Sequence, residues 1–378
     1  MKPHKVIIPS ILLCILLYGC RGDIVVYPSE NEQHGDSLTS SYAGFYLLNE
    51  GNMGSNKATL DYYDLSTATY TRNLYSERNP SVPLSLGDVG NDLRIYGNRL
   101  YAVINVSNKI EVMTADSAIR IGQIDIPNCR YLAFHGQYGY ITSYAGPVQI
   151  GKQHAQIGYV ARFDTATLLI TDTCLVGYQP DGLCISGDKL YVANSGGYMS
   201  PDYESTLSVI NLTSFKEEQR IEVAPNLHYV HADQYGKLWV SSRGNYADRP
   251  SRLYCVDPDL QQVVDSVDAP VSNLCISGDS LYFFGEQFNW ETLQEETFYG
   301  IVDITTRQLL TGNFITDDTR LQKPYGIAVN PATSDILLTD AKDYVTPGTL
   351  YCLGIDGKQK WQVRTGDIPA HVAFLKKQ

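Results

Sequence analysis

The residues LCISGDKLYVANS, from Leu183 to Ser195, recur in closely similar form as LCISGDSLYFFGE, from Leu274 to Glu286. In both stretches an apolar run meets a tight turn that contains Gly and Asp, and a second run rich in aromatic and aliphatic residues follows. Two such runs joined by such a turn are typical of a β-hairpin. The two copies therefore predict that a hairpin is the repeated unit of this chain.

Weaker copies extend the repeat over most of the chain. They are DLRIYGNRLYAVIN from Asp92, YLAFHGQYGYITSY from Tyr131, HYVHADQYGKLWVSSR from His228 and GIAVNPATSDILLTDA from Gly326. A third strand such as TLSVINL and a more polar fourth strand such as EEQRIEVA follow the hairpin, and the period is about 39 to 53 residues. Four antiparallel strands in a unit of this length predict the blades of a β-propeller.

The two ends of the chain carry fragments of the same repeat. GFYLLNEG and LDYYDLS near the N-terminus match the strands that should follow an innermost strand, and IPAHVAFL from Ile368 matches an innermost strand. Joined to each other, they complete a seventh blade and remove the open sheet edges of the ring. We predict an all-β, seven-bladed propeller over residues 42–378, closed by the C-terminal strand; a pair of β-sandwiches, or six or eight blades, are the alternatives.

The first twenty residues have the pattern of a bacterial lipoprotein signal. A charged start is followed by a short apolar run that ends in LLYGC, where Gly19 precedes Cys20. This predicts a signal peptide over residues 1–19, a lipid on Cys20 and a flexible tether over residues 20–41, because that segment is polar and without periodicity. The alternative is an ordinary signal peptide that is cut elsewhere.

Composition and motifs exclude several classes of function. The net charge is -12 and the pI is about 5.0, which argues against a nucleic acid as partner, since such proteins present basic surfaces. The six cysteines beyond Cys20 are scattered and form no CxxC pair, so we predict neither a zinc ribbon nor any other metal site. No nucleophile elbow or phosphate-binding loop is present. We therefore predict that the protein is not an enzyme and has no catalytic residues.

The repeat places the candidate binding residues on one face of the propeller. The loops between second and third strands, and the turns that lead into the innermost strands, converge there and are rich in amides, carboxylates and aromatic rings, which suits a binding pocket. The candidate ligand-binding residues are Asn49, Glu50, Asn52, Asn105, Tyr131, Tyr144, Asn194, Tyr198, Arg243, Asn245, Tyr246, Gln287, Phe288, Trp290, Tyr325, Asp340, Tyr344 and His371. Two alternatives stay open: the loops are polar only because they are exposed, or Glu50, Asp181, Asn194 and Asp340 bind calcium.

A family resemblance adds an expectation about the ligand. The opening FYLLNEGNMGSNKATLDYYD, the lipoprotein signal and the closing PAHVAF resemble the YncE-like, DUF5074-type propeller lipoproteins of gut Bacteroidetes, and within that group the corrinoid-binding BtuG-like proteins. The resemblance implies an outer-membrane, cell-surface lipoprotein without a cofactor of its own. Its transported ligand would be cobalamin or a related corrinoid, and its partner a TonB-dependent corrinoid transporter of the BtuB kind.

The resemblance leaves other functions open. A glycan-binding or surface-layer adhesion propeller would share the aromatic rim, and a calcium-dependent, lactonase-like hydrolase would use the carboxylates. A corrinoid requires no cobalt ligand from the protein, although His228 and His371 both lie close to turns that lead into innermost strands.

Overall fold

The structure is a computed structural model that describes residues 29–82, 85–289 and 292–377. The predicted signal peptide, Cys20 and Trp290 lie outside these residues. Within the described ranges, none of the helices has both the length and the hydropathy that a membrane span needs.

The strands form seven antiparallel sheets, each of which is one blade. Blade 1 contains β1 (Glu30–Gln33), β2 (Tyr42–Asn49), β3 (Thr59–Asp64), β4 (Thr69–Arg72) and β29 (Pro369–Lys376). Blade 2 contains β5 (Gly90–Tyr96), β6 (Arg99–Ile104), β7 (Lys109–Thr114) and β8 (Arg120–Asp125). Blade 3 contains β9 (Cys129–His135), β10 (Tyr138–Ser143), β11 (Ile157–Asp164) and β12 (Ile170–Tyr178). Blade 4 contains β13 (Pro180–Ser186), β14 (Lys189–Asn194), β15 (Thr206–Asn211) and β16 (Lys216–Glu222).

The remaining blades follow the same plan. Blade 5 contains β17 (Leu227–Ala232), β18 (Leu238–Ser242), β19 (Arg252–Asp257) and β20 (Gln262–Val267). Blade 6 contains β21 (Asn273–Ser277), β22 (Ser280–Asn289), β23 (Gln294–Asp303) and β24 (Gln308–Thr311). Blade 7 contains β25 (Pro324–Val329), β26 (Ile336–Asp340), β27 (Thr349–Leu353) and β28 (Gln359–Arg364). A short helix, α1 (Leu74–Arg78), and a 3-10 turn (Lys152–His154) lie in connections.

The innermost strands close the ring around a central channel. Each innermost strand contacts that of the next blade, and β29 contacts both β25 and β5. β29 also pairs with β2, placing Phe45 opposite Phe374 and Leu47 opposite Val372. The predicted seven blades, and the closure of the first blade by the C-terminal strand, are confirmed.

The hairpin turns of the repeat have the expected backbone. Gly97, Gly136, Gly187 and Gly278 each begin a two-residue turn with φ between 57° and 61°. Residues with a Cβ adopt this left-handed conformation only at a cost, and glycine adopts it freely. The glycine of the repeated phrase is therefore a requirement of the turn that joins the two inner strands.

Apolar side chains pack between neighbouring blades and form the core. Between blades 3 and 4, for example, Tyr140, Val192 and Phe215 belong to one buried cluster. At Gly139 in β10 a Cβ would come within 2.1 Å of the ring of Phe163 in β11, so this strand position accommodates the aromatic ring only as glycine. The six cysteines of the described residues are free thiols.

The predicted flexible tether is wrong for its last part. Within residues 20–41, Glu30–Gln33 forms β1, which pairs antiparallel with β4 as a fifth strand of blade 1. The Tyr63 hydroxyl donates to the carbonyl of His34 (2.6 Å), and the Leu38 amide donates to the carbonyl of Leu65 (2.6 Å). The polar composition of this segment suits an edge strand, whose outer side faces water, and this explains why it lacks an apolar pattern.

Candidate functional site

Two sets of connections lie on the same face of the propeller, which we call the mouth face. In blade 4, Pro180 at the start of the innermost strand pairs with Asn194 at the end of the second strand, and in blade 7 Pro324 pairs with Asp340 in the same way. The turn into an innermost strand and the loop that leaves the second strand therefore emerge side by side. Tyr131 of blade 3 reaches His228 of blade 5 (3.0 Å) past blade 4, a contact that is possible only close to the channel axis.

Asn49 and Asn194 form hydrogen bonds within their own blades and do not lie at the rim. Both end a second strand and are fully buried. The Asn49 amide donates to Thr59 (3.0 Å) and Asp61 (2.8 Å). The Asn194 amide donates to Thr206 (3.0 Å) and Ser208 (2.9 Å). The structure therefore does not place this pair at the rim, where the sequence predicts ligand contact, because hydrogen bonds from their amide N–H groups to the third strand hold both side chains inside the blade.

Asn105 and Asp340 also form structural hydrogen bonds. The Asn105 amide donates to Asn128 (2.6 Å) and to the carbonyl of Cys129 (2.8 Å), which joins blades 2 and 3. The Asp340 carboxylate accepts from the backbone amides of Gln322 (2.9 Å) and Lys323 (2.8 Å). Asn105 therefore holds the connection into the innermost strand of the next blade, and Asp340 holds the connection into the innermost strand of its own blade. This is the physical reason for the polar residues that open these loops.

The calcium alternative finds no support in this geometry. The oxygens of Asp340 and Asn194 have partners in separate blades, and among the described residues no group of three His, Cys, Asp or Glu side chains is arranged to hold a metal ion. Asp181, the remaining carboxylate on the blade 4 side, pairs with arginines.

The cationic half of the mouth, as we call it, consists of Arg130, Asp181 and Arg243. These residues lie in β9, in β13 and directly after β18. Arg130 Nε donates to Asp181 Oδ1 (3.2 Å), and Arg243 Nη1 donates to Asp181 Oδ2 (2.9 Å). The Tyr144 hydroxyl donates to the same carboxylate (2.6 Å). Asp181 is fully buried, whereas both guanidinium groups keep some contact with solvent.

The charges of this half do not cancel. Burial alone raises the pKa of the Asp181 carboxyl, but Arg130 and Arg243 outweigh burial and hold that pKa well below its usual range. Burial, and after it Arg243, lowers the pKa of His228 well below its ordinary value, so this imidazole is neutral. One carboxylate thus faces two guanidinium groups, and the cationic half keeps a positive charge.

The acidic half of the mouth, as we call it, consists of Glu50, Glu286, Glu295 and Lys323 from blades 1, 6 and 7. Lys323 Nζ lies 2.6 Å from Glu286 and 3.2 Å from Glu295. Burial opposes the charge on Lys323, but the hydrogen bond to Glu286 outweighs it, and the pKa of the ammonium is raised. With one lysine among three carboxylates, this half carries negative charge.

Glu50 joins the two ends of the ring. Its carboxylate accepts from the Tyr325 hydroxyl (2.8 Å) and lies 3.1 Å from His371 Nε2. Burial, and after it Glu50, raises the pKa of Tyr325 well above its ordinary value, so the hydroxyl keeps its proton and donates. Three predicted site residues, Glu50, Tyr325 and His371, are therefore brought together in the structure.

Aromatic side chains form the outer rim of the mouth. Tyr246 is 74% exposed and Tyr198 is 45% exposed. Tyr344 packs edge-on against Tyr325, with ring centroids 5.9 Å apart. Phe288 is also exposed. These rings offer apolar faces around a polar centre.

Three further candidate residues, Asn245, Asn52 and Gln287, lie in three different local structures. Asn245 folds its own loop, since its side chain donates to Asp248 (2.7 Å) and accepts from the amide of Ala247 (3.0 Å). The carbonyl of Asn52 accepts from the Ser55 amide (3.0 Å), a contact within its own loop. Gln287 lies in a strand, because β22 and β23, each ten residues long, extend as a hairpin into residues 285–297, where the sequence predicts a loop.

Charged residues in both halves of the mouth are missing from the candidate residues that the sequence predicts. Arg130, Lys323 and Glu286 carry no local signal, because their partners lie in other blades. A charged residue directly beside the start of an innermost strand is the single clue that could have indicated Arg130 and Lys323.

A cavity of about 320 Å³ lies in the channel below the mouth. The second halves of β9, β13 and β17 line it, together with Arg94 of β5. Tyr131 and Tyr229, whose ring centroids lie 5.6 Å apart, line the cavity, and so does His231. Tyr131 also contacts His228, so the cavity adjoins the residues around the cationic half.

The fold and the mouth together define a seven-bladed β-propeller with a polar, aromatic-rimmed mouth face. The chain belongs to the family described as "Domain of unknown function (DUF5074)", which matches residues 43–351. No curated protein matches the chain.

Solved structures share the fold at low identity. A quinonprotein alcohol dehydrogenase-like protein from Bacteroides thetaiotaomicron is 13% identical, with a TM-score of 0.60 over 89% of this chain and 79% of that chain. The hydrazine synthase of Kuenenia stuttgartiensis is 16% identical, with a TM-score of 0.55 over 71% of this chain and 77% of that chain. At such identities the likeness concerns the fold alone.

Proposed function

We propose that this propeller is a lipid-anchored surface lipoprotein, of the BtuG-like kind, that captures vitamin B12 and related corrinoids. It passes them to a TonB-dependent outer-membrane transporter, acts without catalysis and carries the corrinoid as cargo. The observation that carries the proposal is the mouth itself, in which exposed tyrosines surround charged and hydroxyl groups that other side chains hold in place.

The chemistry of a corrinoid fits such a mouth. Its ring is large and fringed with primary amides, each of which donates and accepts hydrogen bonds. Carboxylates such as Glu50 and Glu286 accept hydrogen bonds from amide N–H groups. Tyrosine rings such as Tyr198 and Tyr246 pack on apolar ring edges while their hydroxyls stay in water. The resemblance of the opening and closing segments to corrinoid-binding lipoproteins supports the same ligand.

The location is part of the proposal. A lipid on Cys20 would anchor the domain to the outer membrane, and the propeller would sit at the cell surface beside the transporter. The segment between Cys20 and β1 would then be the tether, since β1 already belongs to blade 1.

Titration of the purified domain with cyanocobalamin tests the proposal. Calorimetry and the corrin absorption bands should report binding at micromolar ligand or below, without turnover of the ligand. The absence of both heat and spectral change would refute corrinoid capture. Binding to polysaccharide arrays without corrinoid binding would favour an adhesion propeller instead.

A pair of tyrosine variants tests the choice of face. Tyr246→Ala removes an exposed ring of the mouth face, and Tyr235→Ala removes a ring that is 55% exposed in the turn between β17 and β18, on the opposite face. Cyanocobalamin should bind roughly tenfold more weakly to the first variant and unchanged to the second. The reverse result would place the ligand on the opposite face.

A further inference from the structure

The cationic half holds a positive charge that the protein does not neutralise. Arg130 and Arg243 share the single carboxylate of Asp181, and the nearby His228 is neutral. A charge held away from bulk water without a partner of opposite sign is costly. A bound ligand with a negative charge would neutralise the excess charge and lower this cost.

The two guanidinium groups have more N–H donors than they use in hydrogen bonds to the described residues. Each carries five N–H groups. Among the described residues, Arg130 uses its Nε and Arg243 its Nη1 for hydrogen bonds to protein, in both cases to Asp181. Arg243 is 31% exposed and Arg130 is 18% exposed, so solvent reaches part of both side chains.

Aromatic rings fix the orientation of Arg130. Its guanidinium carbon lies 4.9 Å from the ring centroid of Tyr144 and 5.9 Å from that of Tyr131. Stacking on these rings adds to the hydrogen bond with Asp181 in holding the fork of donors in one plane. A preorganised fork of this kind binds a tetrahedral oxyanion with two parallel hydrogen bonds.

We propose that Arg130 and Arg243 form a subsite for a phosphodiester, and this rests on the proposed function in taking that group to be the one in the nucleotide loop of a cobamide. The opposite side of the mouth favours the same orientation. Glu50, Glu286 and Glu295 repel an anion there and accept hydrogen bonds from amide groups of the corrin ring. The ligand is therefore bound with its phosphodiester over blades 3 to 5 and its corrin amides toward blades 1, 6 and 7.

Two corrinoids separate this subsite from general corrinoid binding. Cyanocobalamin carries the phosphodiester, and dicyanocobinamide lacks the nucleotide loop and therefore lacks it. The variant Arg243→Gln should lose roughly tenfold to a hundredfold in affinity for cyanocobalamin, the usual range for a charge-assisted hydrogen bond. Its affinity for dicyanocobinamide should change less than threefold.

Arg249→Gln is the matched control. Arg249 lies in the same loop as Arg243, is exposed, and its removal changes the net charge by the same amount. This variant should bind both corrinoids like the unchanged protein, and a melting curve of each variant verifies folding. An equal loss for both corrinoids in Arg243→Gln, or no loss for either, would overturn the subsite.

A second experiment tests the anion subsite even if the proposed function is wrong. Should neither corrinoid bind the unchanged protein, corrinoid capture is wrong, and inorganic phosphate becomes the probe. Phosphate at tens of millimolar should raise the melting temperature of the unchanged protein and of Arg249→Gln more than equal ionic strength of chloride does. The extra rise should vanish in Arg243→Gln, and an extra rise that persists there would refute the anion subsite.

Discussion

The two halves of the mouth contain similar charged groups but hold them differently. In the cationic half the central charge, Asp181, is fully buried and two arginines enclose it. In the acidic half the central charge, Lys323, is partly exposed, and one of its two carboxylate partners, Glu295, is mostly in water. Because a fully buried charge that loses its partner is costly, and solvent screens the charges that it reaches, removing one partner should destabilise the first half more than the second.

This difference separates structural charges from available ones. The carboxylate of Asp181 is not accessible, because it is fully buried and accepts from two arginines and Tyr144. The arginines around it keep unused N–H groups, and the carboxylates of the acidic half keep some contact with water, most of all Glu295. The accessible charge of the mouth is therefore cationic on one side and anionic on the other.

The largest expected effect is from Asp181→Asn. The substitution leaves two guanidinium groups beside each other without their shared anion, so the free energy of unfolding should fall by about 3–5 kcal/mol. Urea unfolding followed by tyrosine and tryptophan fluorescence measures it. In the acidic half, Glu286→Gln leaves Lys323 with Glu295 and should cost less than about 1 kcal/mol. Equal losses in the two variants would abolish the distinction between the halves.

Acidification should destabilise the protein through β17. Burial, and after it Arg94, lowers the pKa of His231 to about 4, whereas a histidine in an unfolded chain titrates near 6.5. The unfolded chain then binds more protons between these values. Stability is fully present above about pH 6.5 and is lost as the pH falls toward 4, by an amount on the order of 3 kcal/mol.

Urea midpoints at pH 7, 5.5 and 4.5 measure this loss. His228 acts in the same direction, since its pKa is also lowered. His231→Gln should reduce the slope of stability against pH, and His154→Gln, at an exposed position, should leave it unchanged. A slope that His231→Gln does not alter would contradict the assignment.

A smaller effect is expected at the seam of the ring. Glu50→Gln keeps an acceptor for the Tyr325 hydroxyl but weakens the contact with His371. The free energy of unfolding should fall by about 1 kcal/mol. Glu295→Gln, a mostly exposed carboxylate of the same half, should change it by less than about 0.5 kcal/mol. If both variants behaved alike, Glu50 would have no part in holding the seam.

The smallest effects are expected at the rim. Tyr344→Ala removes an edge-on contact with Tyr325 and should cost about 0.5–1 kcal/mol. Tyr246, on the cationic side, is far more exposed, and Tyr246→Ala should stay within about 0.5 kcal/mol of the unchanged protein. Thermal unfolding of both variants makes the comparison. A larger loss for Tyr246→Ala would indicate that its loop is packed and not free to meet a ligand.

Most of the fold could be predicted, because the repeated phrase is local. A strand, a glycine turn and a second strand are encoded within about a dozen residues, as in Leu183–Ser195. The first blade could be completed from the two chain ends for the same reason. The hairpin of β22 and β23 was mistaken for a loop, since its polar residues extend beyond the blade and bury nothing that would impose an apolar alternation.

The candidate site was predicted less well, because the polarity of a residue does not show whether it forms structural hydrogen bonds or contacts a ligand. Asn49 and Asn194 end their strands with an amide, as a ligand-binding residue could, yet both are bonded inside their blades. Glu50, Tyr325 and His371 were predicted singly, and their mutual contact emerged only from ring closure.

The sequence alone determines the blade, since strand period, turn chemistry and repeat length all act within a few tens of residues. The tertiary structure decides which charges meet at the mouth. Asp181 lies 51 residues from Arg130 and 62 from Arg243 along the chain, and only the curvature of the ring brings them within hydrogen-bonding distance. The burial that makes this cluster costly to break is likewise a property of seven blades packed around one axis.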